Sequence, residues 1–150
     1  MTIRRGLRNL WYWLPIIWND RPWDYVFLLI VMKHKIQQMA DSTPDWLHVN
    51  AEDIKQEMLD TVFLLDCLID DRAEMDAMAQ HEAIFGKPKH EFVATENNEL
   101  VEMVTTYPDT EDDEVARKAV LAFAHIAEIT RRITLQALGR AFMRIERWWD

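Results

Sequence analysis

Residues 51–84 read AEDIKQEMLDTVFLLDCLIDDRAEMDAMAQHEAI, a stretch with no glycine or proline in which apolar side chains recur at helical spacing. Ile54, Met58, Val62, Leu65 and Ile69 form one stripe, and Leu59 and Phe63 form a second strip beside it. Asn50 and Asp53 form an N-cap and N3 pair at the entry, and Gly86 with Pro88 closes the exit. The stretch therefore predicts one long central helix. Asp66, Asp70 and Glu74, four apart, rise beside its second strip.

The same periodicity extends on both sides. Towards the N-terminus, a first helix is predicted over about residues 3–13, with Pro15 bending the chain after Leu14. A second helix runs to about Ala40, capped by Asp20 with Pro22 in its first turn. Its opening, Tyr25–Met32, is apolar all round and calls for enclosure, by the core or by another subunit. Towards the C-terminus, Thr110 and Asp113 read as a capping pair for a helix reaching Trp149. Val115, Ala119, Ala122, Ile126, Ile129 and Ile133 make its first stripe, continued by Leu138, Phe142, Ile145 and Trp149. At 1.5 Å per residue it would be roughly 57 Å long, with Gly139 or Thr130 as places for a kink. Residues 90–108 read as a short helix and a loop.

Three glycines and five prolines in 150 residues favour this helical reading over a turn-rich β architecture. The fold class expected is all-α, a single helical bundle over residues 1–150 with a long central and a long C-terminal helix. A chain of this length buries a substantial core without staples. The lone Cys67 excludes an internal disulfide and suits a reducing compartment, so a cytoplasmic setting is expected. The longest apolar run, Tyr25–Met32, is far shorter than the about 20 residues of a spanning helix. No membrane partner is expected, and the N-terminus shows no clean signal-peptide pattern.

Charge is distributed unevenly. Residues 1–40 carry six Lys/Arg against two Asp/Glu, 41–114 four against twenty-one, and 115–150 seven against three, giving +4, −17 and +4. An acidic middle makes duplex nucleic acid a poor partner, whereas basic ends suit a small anionic ligand. The C-terminal helix lines up Arg132, Gln136, Arg140, Arg144 and Arg147. The N-terminal helix places Arg4 and Arg8 beside Trp11 and Trp13, within a segment (11–24) that holds four of the seven tryptophans. Arginine forks pair with phosphate and indole stacks on flat rings, so the six arginines and two tryptophans among these, Gln136 excepted, are the candidate ligand site. The competing structural role is that the arginines neutralise Asp66, Asp70 and Glu74 or a helix C-terminus. In a bundle whose first and last helices lie side by side on the acidic one, Arg8 would approach Arg140 or Arg144.

No catalytic constellation is present. The paired Glu-x-x-His of di-iron bundles is missing, His125 to Glu128 having the reverse order. The all-α pyrophosphohydrolase pattern is Glu-x-x-Glu followed at a distance by Glu-x-x-Asp; here Glu99/Glu102 precedes Glu111/Glu114 too closely and with the wrong last residue, while Glu57/Asp60 lies upstream. Phosphate loops, zinc-protease motifs and nucleophile elbows are absent from the sequence. No cofactor or metal is called for. His34, between Lys33 and Lys35, reads as a helix-end cap or anion donor, and His125 and Cys67 as core or boundary residues.

At YWLPIIWNDRPWDY (12–25), KHK (33–35), DWLHVNAEDIK (45–55) and IERWWD (145–150), the sequence resembles a family of small tailed-bacteriophage proteins. Residues 85–114 fall outside that resemblance, which brings no activity and no catalytic residue with it. It implies an accessory protein acting in the host cytoplasm, one that sequesters a nucleotide immune signal or binds a host factor. The expectations rank as follows: a non-enzymatic oligomer, most simply a dimer, that binds a small anion; then a module that inhibits or remodels a host protein; then a nucleotide pyrophosphohydrolase.

Overall fold

The computed structural model describes residues 3–18, 25–44, 50–94, 101–110 and 112–148. Among them the fold is predominantly α-helical, with five helices, a closing 3-10 turn and one small hairpin. Two compact units divide the chain, residues 1–70 with 134–150, and residues 71–133. The calls on Asp20, Pro22 and Trp149 lie outside the described residues.

The first unit holds α1 (Ile3–Ile17), α2 (Tyr25–Ser42), α3 (Ala51–Ile69), the last turns of α5 (Asp113–Phe142) and the 3-10 turn Ile145–Trp148. Its core joins Ile36 and Ala40 of α2, Met58, Val62, Leu65 and Leu68 of α3, Leu138 of α5, and Trp148. Met58, Val62, Leu65 and Leu138 carry the apolar stripes read from the sequence, whereas Ala40, Leu68 and Trp148 stand outside them. Leu29 and Met32 pack against this core, whereas Tyr25 and Leu28, at the all-apolar start of α2, are exposed.

Four local expectations are corrected in this unit. Helix α1 does not bend after Leu14 but runs through Pro15 to Ile17, and the Trp18 N–H is donated to the Leu14 carbonyl at 3.0 Å. Pro15 stands in the last turn, where its missing donor costs the helix only one ladder bond. Asn50 opens α3 without a side-chain cap; its carbonyl accepts the Ile54 N–H at 3.0 Å. The long central helix is two helices, α3 and α4 (Arg72–Phe85), because Asp71 takes the left-handed conformation (φ 47°). Its carbonyl then starts α4 by accepting the N–H groups of Glu74 and Met75. The last helix ends at Phe142 rather than Trp149, and the chain tightens into the 3-10 turn that buries Trp148.

The second unit holds α4, strands β1 (Lys89–Ala94) and β2 (Val101–Thr106), and residues 113–133 of α5. The strands pair antiparallel, with Phe92 opposite Met103 and His90 opposite Thr105, which replaces the short helix expected there. Val101, Val104, Thr105 and Thr106 favour an extended chain, and cross-strand bonding stabilises it: the His90 ring and the Thr105 hydroxyl are 3.0 Å apart. Gly86 (φ 77°) ends α4 as expected, and a Cβ there would meet Pro108 and Asp109 side-chain atoms at 2.6 Å. The Asp109 N–H is donated to the Phe85 carbonyl at 3.2 Å, so the chain leaves and returns at one point.

The cap of α5 is Asp112, not the Thr110–Asp113 pair. Asp112 Oδ1 accepts the N–H groups of Glu114 and Val115 at 3.0 and 3.1 Å, while Thr110 steadies Asp112 and Asp113 accepts the Tyr107 N–H. At the centre of this unit His81 is only 1% exposed. Its Nε2 lies 2.9 Å from the Ala116 carbonyl, and the rings of Phe85, Tyr107 and Phe123 surround it.

Candidate functional site

In the first unit the end of α5 lies over α3 around an open recess of about 220 Å³. Its charged lining is Glu57, Asp60, Arg140 and Arg144, with Trp148 at one side. Glu57 is the hub: it lies 3.5 Å from Arg144, 3.8 Å from Arg147, and accepts the Trp148 indole N–H at 3.4 Å. Asp60 accepts the Gln56 amide at 2.8 Å. Arg140 lines the recess with no carboxylate in ion-pairing distance among the described residues.

The structural role anticipated for the arginines therefore accounts for three of the four, though with other partners than expected. Arg144 and Arg147 share Glu57; Arg132, in the second unit, pairs with Glu128 on its own helix at 2.7 Å; Asp66 is taken by Lys33. In the sequence Glu57 stood out only as part of the misplaced Glu57/Asp60 pattern, with nothing to mark it as a partner of the arginines.

A second recess, about 230 Å³, is lined by Arg8, Asn9, Tyr12, Gln38, Asp41 and Ser42. It has no residue in common with the Arg140 recess. Neither of these two recesses brings Arg8 together with Arg140 or Arg144, the approach expected from the sequence. Arg4 is exposed on α1.

The tryptophans separate in the same way. Trp13 and Tyr12 turn towards α2 and hold His34 between them, at ring-centroid distances of 4.9 and 3.9 Å. His34 is thus a packed ring rather than a helix-end cap. Its Nε2 is buried without a partner among the described residues, and burial pushes its pKa below the usual histidine value, against the opposing effect of a hydrogen bond to the Tyr12 backbone. Burial, then the charge of Asp41, raises the Tyr12 phenol. Trp148 is 3% exposed and belongs to the core. Trp11 and Trp18, by contrast, are 79% and 81% exposed.

Those two belong to a wider outward face. No residue of α1 is buried, and Ile3, Leu7, Leu10, Leu14 and Ile17, at spacings of four and three, are all exposed. The helix thus attaches by its Tyr12 and Trp13 side and presents its more apolar side outward.

Cys67 is half-buried and unpaired, and His125 is exposed rather than a core or boundary residue. Among the described residues, no group of three His, Cys, Asp or Glu side chains is placed to hold a metal ion, and no helix is long and apolar enough to cross a membrane. Comparison with family models, with curated proteins and with solved structures found no match.

Proposed function

We propose that this chain is a non-enzymatic interaction module that docks a partner protein through the outward face of α1. The observation that carries the reading is the exposed stripe Ile3, Leu7, Leu10, Leu14 and Ile17, flanked by the exposed Trp11 and Trp18. Anchors at such spacing suit insertion of a helix into an apolar groove, and exposed tryptophans are the residue type that dominates interface energies. Residues 1–19 hold three arginines and no acid, so the groove sought is rimmed by carboxylates. By helical spacing, Arg4 and Arg8 flank only one side of the stripe, which favours a directional groove over the uniform plane of an anionic bilayer. The resemblance to tailed-phage proteins makes a bacterial host protein the partner to seek.

The test is paired capture from bacterial lysate with the immobilised chain, its Leu7→Glu/Leu14→Glu variant and Arg140→Ala. A protein retained by the native chain and Arg140→Ala, lost by the α1 variant, and reproducing that difference when purified and titrated, supports the reading. Equal capture by all three, or an α1-dependent signal only with phosphatidylglycerol vesicles, overturns it.

A second reading, binding of a small anion such as a nucleotide-type signal, is favoured by one observation, Arg140 in its recess with no ion pair among the described residues. It ranks second because the neighbouring indole of Trp148 is buried and offers no open face for stacking. A panel of nucleotides, including cyclic and ADP-ribose-derived species, should then raise Tm and quench tryptophan fluorescence in the native chain but not in Arg140→Ala. No response from any member removes this reading.

A further inference from the structure

The part of α5 that lies in the second unit packs inward through Ala116, Phe123 and Ala127. About a quarter-turn or more away runs a different stripe, Val115, Ala119, Ala122, Ile126, Ile129 and Ile133, spaced four, three, four, three, four. Val115, Ile126, Ile129 and Ile133 are all 45–60% exposed, Ala122 is exposed and Ala119 half-buried. The stripe is about 27 Å long at 1.5 Å per residue, and its alternation of four and three is the pattern of a helix-pairing seam.

We infer that this stripe is a self-association seam, pairing antiparallel with α5 of a second copy of the chain. Three features favour that occupant, and none depends on the role assigned to α1. The first is size. With a two-fold axis near residue 124, Val115 faces Ile133, Ala119 faces Ile129 and Ala122 faces Ile126, so each smaller side chain meets a larger one. A parallel pair would instead set alanine against alanine and isoleucine against isoleucine, leaving layers of unequal width.

The second is charge. Glu114, Lys118, Glu128 and Arg132 lie along one flank, paired within the helix as Glu114–Lys118 and Glu128–Arg132, both at 2.7 Å. The antiparallel register sets Lys118 beside Glu128 of the second copy and Arg132 beside its Glu114, extending each pair into an alternating network. In a parallel two-fold pair this flank would instead lie beside the opposite flank of the second copy, the side of Ala116, Phe123 and Ala127, and the network would not form.

The third is symmetry. The same surface on both copies satisfies both relationships at once, which is the condition for a closed two-fold dimer rather than an open chain.

The test is sedimentation of the full chain at concentrations up to tens of micromolar, with disulfide trapping to read orientation. A dimer is expected, with self-association weakened more than about tenfold by Ile126→Glu/Ile129→Glu and unaffected by Leu7→Glu/Leu14→Glu. Circular dichroism checks that the variants stay helical. In a Cys67→Ala background, an equimolar mixture of Ala122→Cys and Ile126→Cys chains should cross-link faster than either alone. A monomer throughout the range, a dimer indifferent to Ile126→Glu/Ile129→Glu, or fastest cross-linking by Ile126→Cys alone would each overturn the proposal.

Discussion

The indole N–H of Trp148 is donated to Glu57, ninety-one residues earlier, and the same carboxylate lies within 4 Å of Arg144 and Arg147. A single acid on α3 thereby fixes the polar side of the C-terminal segment, while Trp148 fixes the apolar side.

Replacing Glu57 with alanine is expected to cost about 1–3 kcal/mol, dominated by the part-buried hydrogen bond, since the two exposed arginines contribute less. Glu57→Gln, which keeps an acceptor, should lose less. Denaturant unfolding measures the cost, and tryptic cleavage after Arg144 and Arg147 should accelerate in the same order.

Stability should depend on pH through His34. Its folded pKa is lowered from 6.5, so below 6.5 the unfolded chain binds the proton more readily and the native state loses ground. The contribution is complete above pH 6.5 and fades as pH falls towards the lowered folded value. Tm measured from pH 8 to pH 5 should decline at the acid end, and His34→Gln should flatten that decline.

His81 is expected to be the least replaceable side chain of the second unit. His81→Ala empties an aromatic box and removes the bond to the Ala116 carbonyl, a loss of about 2–4 kcal/mol. His81→Phe refills the volume and should recover part of it. Amide exchange in α4 and in residues 113–133 reports the change locally.

The capping assignment separates three neighbouring residues. Asp112→Ala should destabilise α5 by about 1 kcal/mol, because it frees the N–H groups of Glu114 and Val115. Thr110→Ala should cost less, and Asp113→Ala should act through Tyr107 rather than through the helix start.

The helices were legible where one stripe met one core. Met58, Val62, Leu65 and Leu138 are buried as their spacing required. Asp71 was not legible, because the pattern of apolar and acidic residues continues through it and the break rests on one backbone angle. The hairpin was hidden by Glu91, Glu102 and Met103, good helix formers whose cross-strand partners lie beyond any local window. The candidate site suffered most. Helical spacing assigned Trp149 to the stripe, whereas the 3-10 turn after Phe142 brings Trp148 into the core, and arginines equivalent along the chain met different fates once Glu57 had taken two of them. His34 could not be matched to Tyr12 from sequence, since the contact joins two helices and neither residue type demands the other.

The close approach of Gly86 to Pro108 and Asp109 sets strands β1 and β2 apart from the helices. Both ends of that excursion are anchored at the Phe85–Asp109 bond, and its strands are exposed almost throughout. Tyr107 and His81 sit just inside the anchor and carry the packing. The two strands are thus a cassette joined to α5 by the Arg117 bond to the Thr105 carbonyl, and their exposed side chains are open to exchange, whereas any side chain added at position 86 would jam the clasp that holds them.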